Sequence, residues 1–200
     1  VFFIQVGSHT GQSGGDHVKP KIQKGWSGIL IEPVKYLFER LKKHYGSNAK
    51  LILENVAIDA QPGKRTLYRI DEKRLGGLPC YADQLGTFLP ELIEKRPFAD
   101  RMIEEEVECI TFDQLIEKHK ITHADLLAID VEGMDYAILK TFPFEKIKPP
   151  MLIYEEKHLS EEDKQKAINL IKSIGYGDIT EKKGDIIAQL STKTSNEAPR

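Results

Sequence analysis

The sequence predicts an α/β fold: a mostly parallel, twisted sheet with helices on both faces and one antiparallel strand at the end. Two observations predict it. Short apolar runs alternate with amphipathic stretches along nearly the whole chain, and parallel strands need such crossovers to carry the chain back over the sheet. The last two apolar runs are joined only by Lys182-Lys183-Gly184-Asp185, enough for an antiparallel hairpin and too short for a parallel crossover.

The elements follow in order. Val1 to Val6 is a β-rich apolar run that ends at Gly7, and the Gly-rich turn after it, with Gly14, Gly15 and Pro20, predicts a short or irregular first helix. Gly28 to Ile31 is a second buried strand, closing at Glu32-Pro33. Val34, Leu37, Phe38, Leu41 and Tyr45 then share one helix face, with Gly46 as the stop. Leu51-Ile52-Leu53 starts a third strand, expected to continue through Val56-Ala57-Ile58. Gln61-Pro62-Gly63-Lys64 is a turn, so Thr66 to Ile70 reads as the second arm of a hairpin. Asp71 to Glu106 carries Gly76-Gly77, Gly86 and prolines, with a helical stretch near Pro90 to Lys95. Val107 to Phe112 reads as a strand and Asp113 to Lys120 as a helix. Leu126 to Ile129 is a core strand ending at Asp130, followed by a helix from Met134 to Phe142. After Pro149-Pro150, Met151 to Tyr154 is the next strand. Ser160 caps a helix with Ala167, Ile168, Ile171 and Ile174 on its apolar face, and Gly175 stops it. Strands near Gly177 to Glu181 and Ile186 to Leu190 complete the sheet. The expected organisation is one domain over 1–190, with 71–106 as an insertion or lid, and a frayed polar tail over 191–200.

Composition narrows the function. Of 200 residues, 29 are Lys or Arg and 31 are Asp or Glu, a net charge of −2, so no cationic excess argues for nucleic acid as a partner. No apolar run approaches the ~20 residues that cross a bilayer, so no membrane partner is expected. Cys80 and Cys109 match no Cys-x-x-Cys spacing and fit a reducing, cytoplasmic location. The chain enters its first strand at Val1, without a Met, and residues are expected to be missing upstream.

In an open α/β sheet, ligands bind beyond the carboxyl ends of the strands, where strand order reverses. Gly7 and Gly11 in Gln5-Val6-Gly7-Ser8-His9-Thr10-Gly11 let the backbone turn sharply and approach a ligand. The spacing is neither the Gly-x-Gly-x-x-Gly of a dinucleotide site nor a Gly-Lys-Ser/Thr phosphate loop. Glu32 closes the second strand, where a carboxylate can accept hydrogen bonds from both ribose hydroxyls of an adenosine. Alone, each feature is only a turn or a solvated acid; the two in register, one strand apart, are more specific. His17, His44, His119 and His123 have no ligand spacing, and no resident metal is assigned.

Here a resemblance enters. Phe3 to Gly11 resembles the first motif of FkbM-type methyltransferases, and Glu32-Pro33 is similar to their acidic-Pro pair. Asn55-Val56-Ala57-Ile58 stands where the family has its adenine-side segment, and Thr111-Phe112-Asp113-Gln114-Leu115 resembles their Thr-Leu-Asp-Asp-Leu segment. Asp125 to Gly133 is similar to their most recognisable motif, with Ile129-Asp130-Val131-Glu132-Gly133 the most specific part. The likeness runs from Phe2 to about Tyr176. It implies a class I, Rossmann-like fold and methyl transfer from S-adenosyl-L-methionine to a hydroxyl of a sugar or secondary metabolite, so that the partner is a small-molecule or glycan acceptor. Position by position, it implies that Gly7, Ser8, His9, Thr10 and Gly11 line the methionine and ribose part of the cofactor and that Glu32 holds the ribose. Pro33, Val56 and Ala57 would flank the adenine, with Asn55 nearby, and Asp130 and Glu132 would face the sulfonium and acceptor end. Gln5 stands where an acid is usual, leaving a neutral acceptor near the cofactor's ammonium group, and Ala128 replaces a usual Lys.

An alcohol acceptor must lose its proton to a base, or to water with a metal's help. Asp130, Glu132, Glu155, Glu156 and His158 are predicted at or just beyond the carboxyl ends of the central strands, and Asp130, Glu132, Glu155 and His158 are taken as the catalytic set. Asp130 with Glu155-Glu156 also falls where catechol-type O-methyltransferases place Mg²⁺ ligands, against the plainer reading of solvated or salt-bridged carboxylates. In 71–106, Tyr81, Asp83, Gln84, Thr87 and Phe88 are the side chains that could meet an acceptor, unless the segment only packs over the sheet. Two functions stay open: the methyltransferase, and a catalytically weak or inactive module that binds S-adenosylmethionine, which Gln5 and Ala128 keep in play. A nicotinamide-dependent oxidoreductase lacks its glycine fingerprint.

Overall fold

The computed structural model describes residues 1–13 and 16–191. The strands are β1 (Phe2–Val6), β2 (Ser27–Ile31), β3 (Leu51–Glu54), β4 (Ala57–Ile58), β5 (Gly63–Ile70), β6 (Met102–Ile110), β7 (Leu126–Ile129), β8 (Met151–Glu155), β9 (Tyr176–Lys182) and β10 (Asp185–Leu190). The α-helices are α1 (Lys19–Gln23), α2 (Lys35–Tyr45), α3 (Glu91–Glu94), α4 (Phe112–His119), α5 (Asp135–Leu139) and α6 (Glu161–Ile174). Seven strands form one sheet in the order β3-β2-β1-β7-β8-β10-β9. The pairs β3·β2, β2·β1, β1·β7 and β7·β8 are parallel, and β10 runs antiparallel to both β8 and β9. The single reversed strand is therefore the one expected from the short link before Asp185.

Alternation along each strand explains why helices cover both faces. In β7 every side chain is buried, Leu127 and Ile129 on one face and Leu126 and Ala128 on the other. The first pair joins Phe112 and Leu115 of α4, Ile138 and Leu139 of α5, and Ala167 and Ile171 of α6. The second pair joins Phe3, Leu30, Ile22 of α1 and Leu41 of α2. Each fully buried Leu or Ile contributes about 1.5–3 kcal/mol by leaving water. The helix ends obey local chemistry. Thr111 and Gln114 cap α4 reciprocally, and Ser160 accepts from the Asp163 N–H while Gly175, at φ +112°, ends α6. The first helix is only Lys19–Gln23, with Pro20 in its first turn.

Two expectations are corrected. The third strand does not continue through Ile58. It stops at Glu54, whose carboxylate is held by Lys118 and His119, and the Asn55 amide turns back to donate to the carbonyls of Glu32 and Pro33, both at 2.9 Å. Ala57–Ile58 thereby leaves the main sheet and enters a second, three-stranded sheet of order β4-β6-β5. Nor does β5 form a hairpin with the strand before it. It pairs antiparallel with β6, from Gly63↔Cys109 to Ile70↔Met102, so β6 begins five residues before the expected Val107. Cross-strand ion pairs, Arg69 with Glu105 and Lys64 with Glu106, let the acidic run Glu104-Glu105-Glu106 sit in a strand. Between β5 and β6, residues 71–101 fold over a small apolar cluster of Ala82, Leu85, Ile93 and Phe98 against Ile70. The tail over 192–200, with Gly14 and Gly15, lies outside the described residues. No helix among the described residues is long and apolar enough to cross a membrane.

Candidate functional site

Strand order reverses at β1, which has β2 on one side and β7 on the other. The carboxyl ends of β1, β2, β7 and β8 open there on a cavity of about 680 Å³. The loop leaving β1 is built to pass close to its neighbours. The N–H groups of Gly7 and Ser8 both donate to the Ile31 carbonyl, at 3.0 and 2.9 Å, and the Asp130 N–H donates to the Val6 carbonyl at 3.0 Å. Gly7 sits at φ +82°, and a Cβ there would lie 1.7 Å from the Asp130 carbonyl oxygen, so only glycine fits. The Ser8 hydroxyl is committed inward, accepting from the Ile31 N–H at 3.0 Å.

Glu32 meets this loop directly. Its carboxylate accepts from the His9 N–H at 2.8 Å and from the Val34 N–H at 2.9 Å, and the residue is 4% exposed. Burial pushes its pKa up to about 7, against the pull of those two N–H groups. Val34, Leu37, Ala57, Ile58 and Leu67 give the cavity an apolar wall beside Glu32 and Pro33. On the other side of the loop, the Gln5 amide donates to Asp16 at 3.2 Å, while Gln5 Oε1 is buried and has no hydrogen-bond partner. Asp16 in turn accepts from the N–H groups of Val18 and Lys19, at 2.7 and 3.2 Å, and so fixes the start of α1.

The far end of the cavity is acidic. Asp130 is exposed where it opens onto the cavity. Desolvation by the protein packed around it, followed by the charges of Glu132, Asp185 and Asp16, pushes its pKa up to about 7. Glu132 follows at φ +50°, an uncommon conformation for a non-glycine. Fully buried Asp135 accepts from the N–H groups of Val131 and Gly133, at 3.3 and 3.2 Å, and the Thr87 hydroxyl donates to the Glu132 carbonyl at 2.8 Å. Glu132, Glu155 and His158 bring one potential ligand atom each within 4.8 Å of one another. Burial and the charges of Asp130 and Glu132 raise the Glu155 pKa to about 8. Two ionised carboxylates at that spacing repel by roughly 3 kcal/mol at an effective dielectric of ~20.

Of the residues expected from sequence, Gln5, Gly7, Ser8, His9, Glu32, Pro33, Ala57, Asp130, Glu132 and Glu155 line the cavity. Others do not. Thr10 and Gly11 turn toward α2, where their carbonyls meet His44 and Tyr45 at 3.2 and 2.9 Å. Asn55 braces the Glu32–Pro33 backbone, and Val56 packs into the core. His158 stands behind Glu132, its Nε2 3.2 Å from the carboxylate. The converging trio contains neither Asp130 nor Glu156, so the Asp130 and Glu155-Glu156 grouping is replaced by Glu132, Glu155 and His158. From 71–101, Tyr81, Gln84, Thr87 and Phe88 line the cavity, whereas Asp83 faces His9 at 3.7 Å and Arg40 at 3.9 Å. Burial holds the His9 ring below the usual His pKa. The sequence reading missed Asp16, Leu67 and the rim lysines Lys157, Lys182 and Lys183. Asp16 carries a signal in hindsight, since an Asp shortly before Lys19-Pro20 is a helix-start pattern.

The model of the methyltransferase FkbM domain matches residues 5–189. Methyltransferase FkbM from Methylobacillus flagellatus KT superposes with a TM-score of 0.58 at 15% identity, covering 93% of this chain and 42% of that one. The fibrillarin pre-rRNA processing protein of Methanococcus jannaschii aligns with a TM-score of 0.45 at 11% identity, over 94% of this chain and 64% of that one. A CMeT domain of the citrinin polyketide synthase gives 0.45 at 9% identity, over 95% of this chain and 46% of that one. No curated protein matches the sequence. The chain thus spans less than half the length of the FkbM structure it resembles.

Proposed function

The chain belongs to the methyltransferase FkbM domain family, and from that premise we propose that it is an S-adenosylmethionine-dependent O-methyltransferase acting on a hydroxyl of a sugar or secondary metabolite. The fold is the class I, Rossmann-like methyltransferase fold expected from the sequence. The observation that carries the reading is Glu32: a buried carboxylate, fixed by two backbone N–H groups against the β1 loop and facing an apolar wall.

The residues fit the cofactor at three points. Glu32 retains lone pairs for the two ribose hydroxyls. Ala57, Ile58 and Leu67 offer an apolar surface to the adenine. Gln5 Oε1 is an orphaned acceptor, and with the Asp16 carboxylate beside it, it suits an ammonium group. Asp16 thereby supplies the charge that Gln5 lacks. When bound, the cofactor supplies an electrophilic methyl on a sulfonium. The chain's own work is to align the acceptor, exclude water and take a proton. Residues 71–101, held to the acidic loop through Thr87, cover the cavity. Asp130, poised near pH 7, takes the hydroxyl proton as general base.

A second reading, a module that binds the cofactor without transferring the methyl, draws on Ala128. This buried side chain borders a pocket of about 50 Å³ lined also by Asp16, Asp130, Asp185 and His17, with no lysine in it. Calorimetry with S-adenosylhomocysteine tests the shared part. Glu32→Ala is expected to weaken binding 10- to 100-fold, since hydrogen bonds to a charged acceptor contribute about 1.5–3 kcal/mol. An unchanged dissociation constant removes the ribose role. Methyl release with hydroxylated acceptors then separates the two readings: tight binding with no release favours the module.

A further inference from the structure

We propose that Glu132, Glu155 and His158 form a binding site for one divalent transition-metal ion, Mn²⁺ or Zn²⁺, on the acceptor side of the cavity. The three potential ligand atoms already lie within 4.8 Å of one another. Atoms bound to a common ion at ~2.0–2.2 Å stand about 3–4 Å apart, so small side-chain rotations close the site. The independent sign of a missing partner is in the hydrogen bonding. Glu132 Oε2 and Glu155 Oε2 are both fully buried and accept no hydrogen bond. The His158 ring is about nine-tenths buried, and its Nε2 lies 3.2 Å from Glu132 Oε2 without donating to it. Buried polar atoms are nearly always paired, and one cation bound by Glu132, Glu155 and the imidazole would pair both oxygens at once.

The backbone holds these groups in place. Glu132 stays at φ +50° because Gly133, Asp135 and Thr87 fix the turn on either side of it. A Cβ on Gly133 would come within 2.9 Å of Leu92 and 3.4 Å of the His158 Cβ, which records how closely the turn packs on its neighbours. Glu155 is the last residue of β8, and His158 sits in the turn before α6. One imidazole with two carboxylates is a mixed nitrogen and oxygen set. It suits Mn²⁺ or Zn²⁺ better than Mg²⁺ or Ca²⁺, which prefer oxygen throughout. Glu132 and Glu155 also border the cavity, so an ion they hold would lie beside the acceptor and could make a bound acceptor oxygen more acidic. Metal binding stands by itself; its part in activating an acceptor rests on the methyltransferase reading.

The test uses the full chain, dialysed against chelator and titrated with Mn²⁺ alone or Zn²⁺ alone, without S-adenosylmethionine. One ion is expected per chain, and the Mn²⁺ spectrum should carry a nitrogen coupling that disappears in His158→Gln. Glu132→Gln and Glu155→Gln should each weaken binding by at least ~10- to 100-fold, the range seen even for indirect support of a ligand. Absence of binding to the wild type overturns the site, and so does binding that all three variants retain. S-adenosylhomocysteine calorimetry on the same samples keeps the two ideas apart. Cofactor binding without metal binding sinks the metal site alone, and metal binding without cofactor binding sinks the methyltransferase reading alone.

Discussion

The two ends of the cavity are built on opposite principles. Around Glu32, the charges and backbone groups satisfy one another: the carboxylate has two N–H donors, Gly7 and Ser8 share the Ile31 carbonyl, and Asn55 braces the turn. Around Asp130, carboxylates crowd together with few donors, and two oxygens have none. The first arrangement is complete before a ligand arrives and needs only to be filled. The second is held together against its own repulsion by rigid neighbours, above all the Asp135 turn and the Thr87 tether. A preorganised binding half beside a charged, unsatisfied half is the division of labour expected where one ligand is held and another reacts.

The sharpest way to break this contrast is Asp130→Asn. An amide cannot accept a proton in this range, so kcat is expected to fall by about 10²- to 10⁴-fold, the usual worth of a general base. Wild-type kcat should rise with pH through about 7, where Asp130 ionises. The S-adenosylhomocysteine dissociation constant should hardly move. A methyl-transfer assay and calorimetry on the same preparation decide it: an Asn variant with near wild-type turnover removes Asp130 from the chemistry.

A smaller effect comes from titrating the satisfied end. The Glu32 carboxyl is pushed to about 7 in the folded chain from an ordinary 4.5. Its proton therefore favours the folded state, and that stability is complete below about pH 4.5 and is lost as pH rises through about 7. Between pH 5.5 and 8 the loss is about 2 kcal/mol from this group alone. Urea unfolding of the apo protein should show it, and Glu32→Gln should flatten the slope by that amount. Ribose hydroxyls donate to the ionised form, so cofactor affinity should run the other way, tightening about tenfold between pH 6 and 8. Equal slopes in wild type and Glu32→Gln would mean that the carboxyl ionises normally.

The same contrast explains what the sequence disclosed. The buried runs of β1, β2, β7 and β8 are legible because each is apolar on both faces, and their ends then place Gly7, Glu32 and Asp130 together. The second sheet is not legible. β4 is two residues long, and β5 finds its partner only after residues 71–101, across a strand whose acidic run looks like a solvated loop. At the acidic end, the meeting of Glu132 with His158 depends on a left-handed Glu132, for which Gly133 is the sole local hint. Asp16 shows the same limit: its position beside Gln5 is a property of the folded loop, and no spacing in the sequence states it.

Thr87→Val sharpens the comparison with the smallest change. Thr87 is 1% exposed, and its hydroxyl donates to the Glu132 carbonyl at 2.8 Å while accepting from the Leu89 N–H at 3.1 Å. Valine keeps the shape and leaves both backbone groups unpaired, at a cost of about 1–3 kcal/mol in stability. Neither hydrogen bond touches the Glu32 end. The tether joins residues 71–101 to the acidic loop, so its loss should raise the acceptor KM several-fold and leave the S-adenosylhomocysteine dissociation constant within about twofold, because roughly 1 kcal/mol corresponds to a factor of 5. Steady-state kinetics with the acceptor varied, set beside calorimetry, reads both. A parallel loss of cofactor affinity would show that the two ends are mechanically one unit, with the turn at Glu132 carrying strain back through Asp130 to the Gly7 loop, which touches the Asp130 backbone.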